Sequence, residues 1–347
     1  MRPAELPTRP EDLERAAAAV LDPELYGYLA GGAGDEITLS EAVRAWRAWA
    51  PRTQVGVDVG ERSGSVPVLG RTGPPLLVAP MAGQAGIHPS GEVGLARAAA
   101  AVGIPYVLST RAAVTCGELA EAVPDGRHWL QLYVLTDGSV SAGLVIDAVQ
   151  AGFEAVVVTV DAPVLGSRDR EVGISYVGPR EPAVGAGVRQ DPTFTWTGLE
   201  ALVASAGVPV LVKGVLEPVD AVRAAECGAA GVVVSTHGGR QLDTVVPSAV
   251  ALPEVVEALA GRGVEVLVDG GIRRGTDVLV ALALGASAVL VGRPLLWGLA
   301  LAGPDGAQLV LERLLGELSV AQALVGVPAA AELVGAGERV LRRADWR

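Results

Sequence analysis

The chain has 347 residues, room for one large domain or two ordinary ones, and half of its residues are apolar, enough for a sizeable core. Lys+Arg is 27 against Asp+Glu 39, a formal net charge of −12, which argues against a nucleic-acid or anionic-membrane binder, since both need a basic face. Two widely spaced cysteines, Cys116 and Cys227, exclude a disulfide scaffold, and three histidines without H-E-x-x-H or C-x-x-C give no basis for a metal site.

Two oddities remain. There is no Asn, and 26 of the 27 basic residues are Arg, the exception being Lys213. A GC-rich genome explains most of this bias. A chain that has kept one ammonium where its chemistry needs it is the sharper reading. The N-terminal M-R-P-A-E-L-P has no apolar stretch before a cleavage site, and apolar runs are broken by Gly, Pro or charge within about 18 residues. The expectation is a soluble, cytoplasmic protein of a reducing compartment, with no membrane or nucleic-acid partner.

Residues 10–50 read as short helices. Eight nearly continuous apolar runs follow, at 76–80, 105–109, 128–133, 155–160, 209–213, 231–235, 264–269 and 287–292. Such runs suit strands buried on both faces of a parallel sheet. Helical periods lie between them, at 92–102, 115–123, 140–151, 198–205, 217–227, 248–261 and 275–284, with a last helical region from near Leu295. Eight strand–helix units in about 240 residues predict an α/β fold, a (β/α)8 TIM barrel. A doubly wound open sheet is the alternative, but no G-x-G-x-x-G follows the first strand. The strand starts at 155 and 209 lie 54 residues apart, so a long loop after strand four, about 162–196, is expected. The reading is one domain: an N-terminal helical extension at 1–70, the barrel at 71–300 and C-terminal helices at 301–347. Residues 311–324 have helical period and dock on the barrel or on a neighbour.

Function in this architecture collects at the C-terminal ends of strands, and the polar residues fall there. Strand one ends in Pro80, Met81 and Ala82, strand two in Ser109, Thr110 and Arg111. Strand three carries Gln131 and Tyr133, and strand four ends in Thr159 and Asp161. Strand five ends at Lys213, strand six runs into Ser235, Thr236, His237 and Arg240, strand seven into Asp269, Gly270, Gly271 and Arg273, and strand eight into Gly292 and Arg293. Glycines followed by arginine on the last two loops suit a phosphate cradle; tight turns with surface arginines are the plain alternative. His237 is the best general base, whereas His128, opening a strand, suits the core and His88 a structural role. Asp161 is placed to hold an imidazole in one tautomer, unless it is a turn or cap aspartate. Arg240 and Arg168 are candidates for a substrate carboxylate, with ordinary surface charge as the alternative.

With these residues assembled, the chain resembles the FMN-dependent 2-hydroxy acid oxidase/dehydrogenase family, which includes glycolate oxidase, lactate oxidase, mandelate dehydrogenase and hydroxymandelate oxidase. The resemblance runs from Y-G-Y-L-A-G-G-A at 26–33 to A-D-W at 344–346. Its most specific pieces are L-V-K-G-V at 211–215, S-T-H-G-G-R-Q-L-D at 235–243, D-G-G-I-R-R-G-T-D-V at 269–278 and A-L-A-L-G-A at 281–286. It implies FMN as cofactor and oxidation of an (S)-2-hydroxy acid to the 2-oxo acid. Catalytic roles would fall to His237, Asp161, Lys213 and Tyr133. Tyr28 and Arg240 would bind the substrate carboxylate, with Tyr133 and Arg168 near the substrate. Pro80, Met81, Ala82, Ser109, Gln131, Thr159 and Ser235 would contact the flavin. Asp269, Gly270, Gly271, Arg273, Gly292 and Arg293 would hold the ribityl phosphate. Lys213 would meet the charge of the reduced flavin, where a broad guanidinium does not fit. Reoxidation by O2 or another electron acceptor and a homotetramer are also implied.

Four departures from the family pattern stand out. Thr236 occupies the place of the usual Asn, Arg111 that of a common pocket aromatic, the segment from Met81 to Gln84 is small, and the loop after strand four is shorter than usual. Arg111 in the pocket predicts a bulky, polar or acidic substrate; an arginine capping its own loop is the other reading. Two rival functions are a different FMN barrel, such as a type 2 isopentenyl diphosphate isomerase, and a flavin-binding protein without turnover. The set Tyr28, His237, Arg240 and Lys213 argues against both.

Overall fold

The computed structural model describes residues 1–172 and 189–344. Helices α1 (Pro10–Ala18), α2 (Pro23–Ala30) and α3 (Ile37–Trp46) lead into strand β1 (Trp49–Pro51) and a hairpin, β2 (Val66–Val68) with β3 (Arg71–Gly73). The chain then alternates: β4 (Leu76–Val78), α4 (Gln84–Ile87), α5 (Gly91–Ala101), β5 (Pro105–Ser109), α6 (Cys116–Ala122), β6 (Arg127–Tyr133), α7 (Gly138–Gln150) and β7 (Ala155–Thr159). It continues with α8 (Trp196–Ser205), β8 (Val210–Val215), α9 (Pro218–Glu226), β9 (Gly231–Val234), α10 (Ser248–Ala258), β10 (Glu265–Asp269), α11 (Gly275–Ala283) and β11 (Ala288–Val291). Strands β4 to β11 pair in parallel, each with its sequence neighbour, and β11 returns to β4, so the eight close into a barrel. The predicted TIM barrel is the observed fold.

Most predicted elements differ from the observed ones only by a residue or two at their ends. In strand five the difference touches the site: it begins after Pro209 and runs on to Val215, so Lys213 lies inside β8 rather than at its end. Gly214 makes this possible. Its φ is 104°, the pairing to β9 shifts there, and a Cβ on it would lie 2.4 Å from the Asp161 carboxyl carbon. Only glycine lets β8 pass beneath that carboxylate.

The barrel interior is a second, separate core. Leu77, Ala79, Val107, Trp129, Val157, Leu211, Val233, Leu267 and Leu290 point inward, and Val66 and Val68 of the hairpin plug the end opposite the loops that follow the strands. Outward residues of the same strands pack on the helices. Helix α12 (Arg293–Leu324) bends at Ala302 and Gly303, just before Pro304, and packs against α5, α11 and α1. After α13 (Gly337–Val340), strand β12 (Leu341–Arg343) pairs antiparallel with β1, tying the C-terminal segment to the chain just after α3. Neither this pairing nor the plugging hairpin follows from periodicity, because three-residue strands are too short to show one. Of the predicted loop at 162–196, residues 173–188 lie outside the described residues, as do 345 and 346 of the family resemblance. Among the described residues, no helix is long and apolar enough to cross a membrane.

Candidate active site

Side chains alternate along a strand. The residue two beyond each inward core position therefore also faces the barrel axis, one layer nearer the loops. From Ala79, Val107, Trp129, Val157, Leu211, Val233, Leu267 and Leu290 this step gives Met81, Ser109, Gln131, Thr159, Lys213, Ser235, Asp269 and Gly292. The core thus turns from apolar to polar in one layer. Above it opens a cavity of about 1130 Å³. Tyr28, Pro80, Met81, Ala82, Ser109, Arg111, Gln131, Tyr133, Thr159, Arg168, Lys213, His237, Arg240, Asp269, Gly270, Gly271, Arg273, Gly292 and Arg293 all line it. Two predicted residues, Asp161 and Ser235, stand behind this wall and hold others in place.

Asp161 holds the histidine. His237 Nδ1 lies 2.8 Å from Asp161 Oδ1, and Tyr133 OH lies 3.2 Å from His237 Nε2. With Nδ1–H donating to the carboxylate, Nε2 is left as an acceptor facing the cavity. Burial works against the Asp161 charge, but His237 and then Lys213 outweigh it and hold the carboxyl below its ordinary range. His237 sits at φ 56°, a left-handed conformation uncommon for a side-chain-bearing residue, and its N–H donates to Ser235 Oγ at 3.0 Å. Such strain costs about 1–3 kcal/mol and persists only where neighbours over-determine it.

On the floor, Lys213 Nζ donates to Ser235 Oγ at 2.7 Å and pairs with Asp269 Oδ2 at 3.0 Å. Burial disfavours the ammonium, yet Asp269 and Asp161 more than compensate, and its pKa is raised. Asp269 Oδ1 and Thr236 Oγ1 are buried with no protein partner among the described residues. Gln131 ties three strands together, accepting from Ser109 Oγ at 3.2 Å and donating to Thr159 Oγ1 at 3.0 Å.

At one end of the cavity, Arg273 and Arg293 stand half-buried beside the glycine turn at 270–271. Burial, then repulsion from Arg240 and Arg273, pushes the Arg293 guanidinium down to about 9. Arg293 is anchored on the carbonyls of Leu29 (3.0 Å) and Gly31 (2.9 Å). The turn is fixed from outside by α3: Trp46 Nε1 donates to the Gly270 carbonyl at 2.8 Å, and a Cβ on Gly271, at φ 77°, would lie 2.0 Å from the Ala42 carbonyl oxygen. Like charges set side by side against a glycine turn suit an anion.

Elsewhere in the wall, Arg240 lies 4.9 Å above the Tyr28 ring and is tethered to the Tyr28 and Gly31 carbonyls. Arg168 Nε donates to the Arg240 carbonyl at 2.9 Å, so both guanidiniums are pinned side by side. Arg168 is therefore part of the wall and not a surface charge. Arg111 also lines the cavity. His128 and His88 do not: His128 Nε2 bonds the Val123 carbonyl at 2.9 Å, and His88 Nδ1 bonds Ser90 Oγ at 2.8 Å. Sequence reasoning passed over Glu171, Arg189 and Gln241. Gln241 joins the loops after β7 and β9, donating to the Asp161 carbonyl at 3.0 Å and accepting from Arg168 at 3.2 Å. Its place directly after Arg240 was the available signal.

Comparison with known proteins agrees with this geometry. The family model described as FMN-dependent dehydrogenase matches residues 17–340. A 4-hydroxymandelate oxidase of Amycolatopsis orientalis is 43% identical, the match covering 95% of this chain and 96% of that one. An L-lactate oxidase of Nostoc sp. is 42% identical over 91% of this chain and 93% of that one. A crystal structure of mandelate oxidase with (S)-4-hydroxymandelic acid superposes with a TM-score of 0.89 at 41% identity, covering 97% of this chain and 98% of that one. These matches favour the 2-hydroxy acid reading over an isomerase barrel. The chain belongs to the FMN-dependent dehydrogenase family and is an FMN enzyme of its 2-hydroxy acid oxidase type.

Proposed function

We propose that this chain oxidises an (S)-2-hydroxy acid to the 2-oxo acid with His237 as the base. One observation carries the reading: His237 Nε2 opens on the same cavity as the paired guanidiniums of Arg168 and Arg240, while its Nδ1 is held on Asp161 at 2.8 Å.

The residues fit FMN. Arg273 and Arg293 are half-buried, mutually repelling cations that call for an anion, Asp269 Oδ1 has no protein partner among the described residues, and about 1130 Å³ exceeds the roughly 300–1,000 Å³ of an ordinary small-molecule pocket. The turn at 270–271 with Arg273, Gly292 and Arg293 would hold the phosphate. Met81, Ser109, Gln131, Thr159 and Lys213 would line the ring. When bound, FMN supplies the two-electron acceptor that oxidation of an alcohol requires.

The protein's part follows from its charges. Arg168 and Arg240 fix the substrate carboxylate, with the Tyr28 ring beneath Arg240. The clamp presents the substrate's reacting carbon and hydroxyl to His237, an orientation effect. His237 Nε2 takes the proton, and the Asp161 carboxylate stabilises the resulting imidazolium. Tyr133, whose hydroxyl burial pushes well up, stays protonated and donates at the same place. The Lys213 ammonium stays charged and favours negative charge above it.

Arg111 on the cavity wall supports a bulky, polar or acidic substrate. Arg111→Ala is expected to lower kcat/KM for such an acid at least tenfold while sparing lactate; unchanged preference removes Arg111 from specificity. O2 or another carrier as acceptor and a homotetramer complete the proposal, on the strength of the family resemblance. The test is anaerobic bleaching of the flavin band by a panel of 2-hydroxy acids, with the 2-oxo product identified. Persistent colour with every acid contradicts it, and oxygen uptake in air separates oxidase from dehydrogenase.

A further inference from the structure

The mechanism leaves Glu171 without a task, yet it stands where a substrate carboxylate belongs. Its Oε1 accepts from Arg240 Nη2 at 2.8 Å and from Arg168 Nη1 at 3.3 Å, one oxygen serving both guanidiniums. Much of the rest of the two cations is committed elsewhere. Arg240 Nη1 goes to the Tyr28 and Gly31 carbonyls, Arg168 Nε to the Arg240 carbonyl and Arg168 Nη2 to Gln241. Glu171 thus holds N–H groups that a 2-hydroxy acid's carboxylate would use.

The electrostatics explain why something must hold them. Arg240 is pressed by burial and by the neighbouring charge of Arg168, and Glu171 relieves that pressure. The Glu171 side chain is 27% exposed and lines the cavity, on a single turn at Asp169–Glu171 outside the barrel, so rotation about its own bonds frees the site without disturbing a strand. Two carboxylates on the same two N–H groups would repel each other at close range.

We propose that Glu171 is a resident carboxylate that fills the substrate-carboxylate subsite of the resting enzyme and is displaced when substrate binds. It lowers affinity for carboxylate ligands that fit the clamp, helps expel the 2-oxo acid product, and leaves the site closed to uncharged analogues that cannot displace it. The proposal rests on the reading of Arg168 and Arg240 as the carboxylate clamp.

The experiment uses the flavin-loaded enzyme, the Glu171→Gln variant and the Arg240→Lys variant. Acetate, pyruvate, benzoylformate and benzoylformate methyl ester are titrated against the flavin absorption. Flavin content and melting temperature establish that each variant is folded. Glu171→Gln is expected to tighten at least one of the three acids tenfold or more and to lower both KM and kcat, as slower product release demands. The ester is expected to bind the wild type at least tenfold more weakly than benzoylformate does; equal binding would show that displacement needs no carboxylate and would overturn the proposal. If Glu171→Gln tightens none of the three, Glu171 is a fixed strut and the proposal is overturned. If Arg240→Lys leaves acid binding unchanged, the clamp itself is misassigned, a separate failure.

Discussion

Lys213, the only lysine of the chain, is buried between Ser235 and Asp269, 2.7 Å and 3.0 Å from their oxygens. A compact ammonium satisfies both, and its raised pKa means that its stabilising contribution is complete below the ordinary lysine value of 10.5 and is lost only as pH rises through the higher folded value. Lys213→Met strands the Asp269 carboxylate. Removing one partner of a buried pair costs about 3–5 kcal/mol, so denaturant unfolding should show a loss of that size, constant between pH 7 and pH 9. A gap that closes within that range would mean that Lys213 is already neutral there. Much of this residue chemistry was legible in the sequence, because polar side chains at strand ends in a barrel have few other uses. His237, Arg240 and Lys213 stood out for that reason. Glu171 did not: in S-R-D-R-E it reads as one charge among several, and only the fold brings it between Arg168 and Arg240.

At the scale of elements, the inward-facing positions carry the argument. Every second residue of a strand shares a face, so the apolar layer through Trp129 and Leu211 fixes the polar layer through Gln131 and Lys213 above it. Once the strands are placed, that much follows from sequence. What supports the layer does not, because it comes from contacts remote in the chain. The turn after β10 depends on α3, more than two hundred residues earlier. Asp243, part of a motif read for its catalytic neighbours, caps that helix instead, accepting from Thr38 N–H at 2.8 Å and Ile37 N–H at 3.2 Å. Gly271→Ala tests the dependence. Its Cβ must push α3 away from the turn, so FMN affinity should fall at least tenfold and the melting temperature should drop. Wild-type affinity would show that α3 does not set the cradle.

For the whole molecule, the closed barrel, with β12 paired to β1 beside it, frames a large polar cavity. Filling that cavity should stabilise the fold by mass action, by about 2.7 kcal/mol at a ligand concentration one hundred times its Kd. The share belonging to Arg273 and Arg293 is exposed by comparing FMN with riboflavin, which lacks the phosphate. Thermal melting of the apoprotein should rise markedly with FMN and only slightly with riboflavin at equal concentration. Equal shifts would place the binding energy in the ring contacts and remove the phosphate role from the two arginines.

The central claim is that His237, held by Asp161 and faced by the arginine pair, takes the proton from a clamped 2-hydroxy acid. The most direct measurement is the anaerobic bleaching rate of the flavin-loaded enzyme with its best 2-hydroxy acid, compared between the wild type and His237→Gln. A positioned base contributes about 10²–10⁴-fold, so the variant should keep its yellow colour and its affinity for a carboxylate ligand while bleaching slows by at least a hundredfold. Bleaching at close to the wild-type rate would contradict the account.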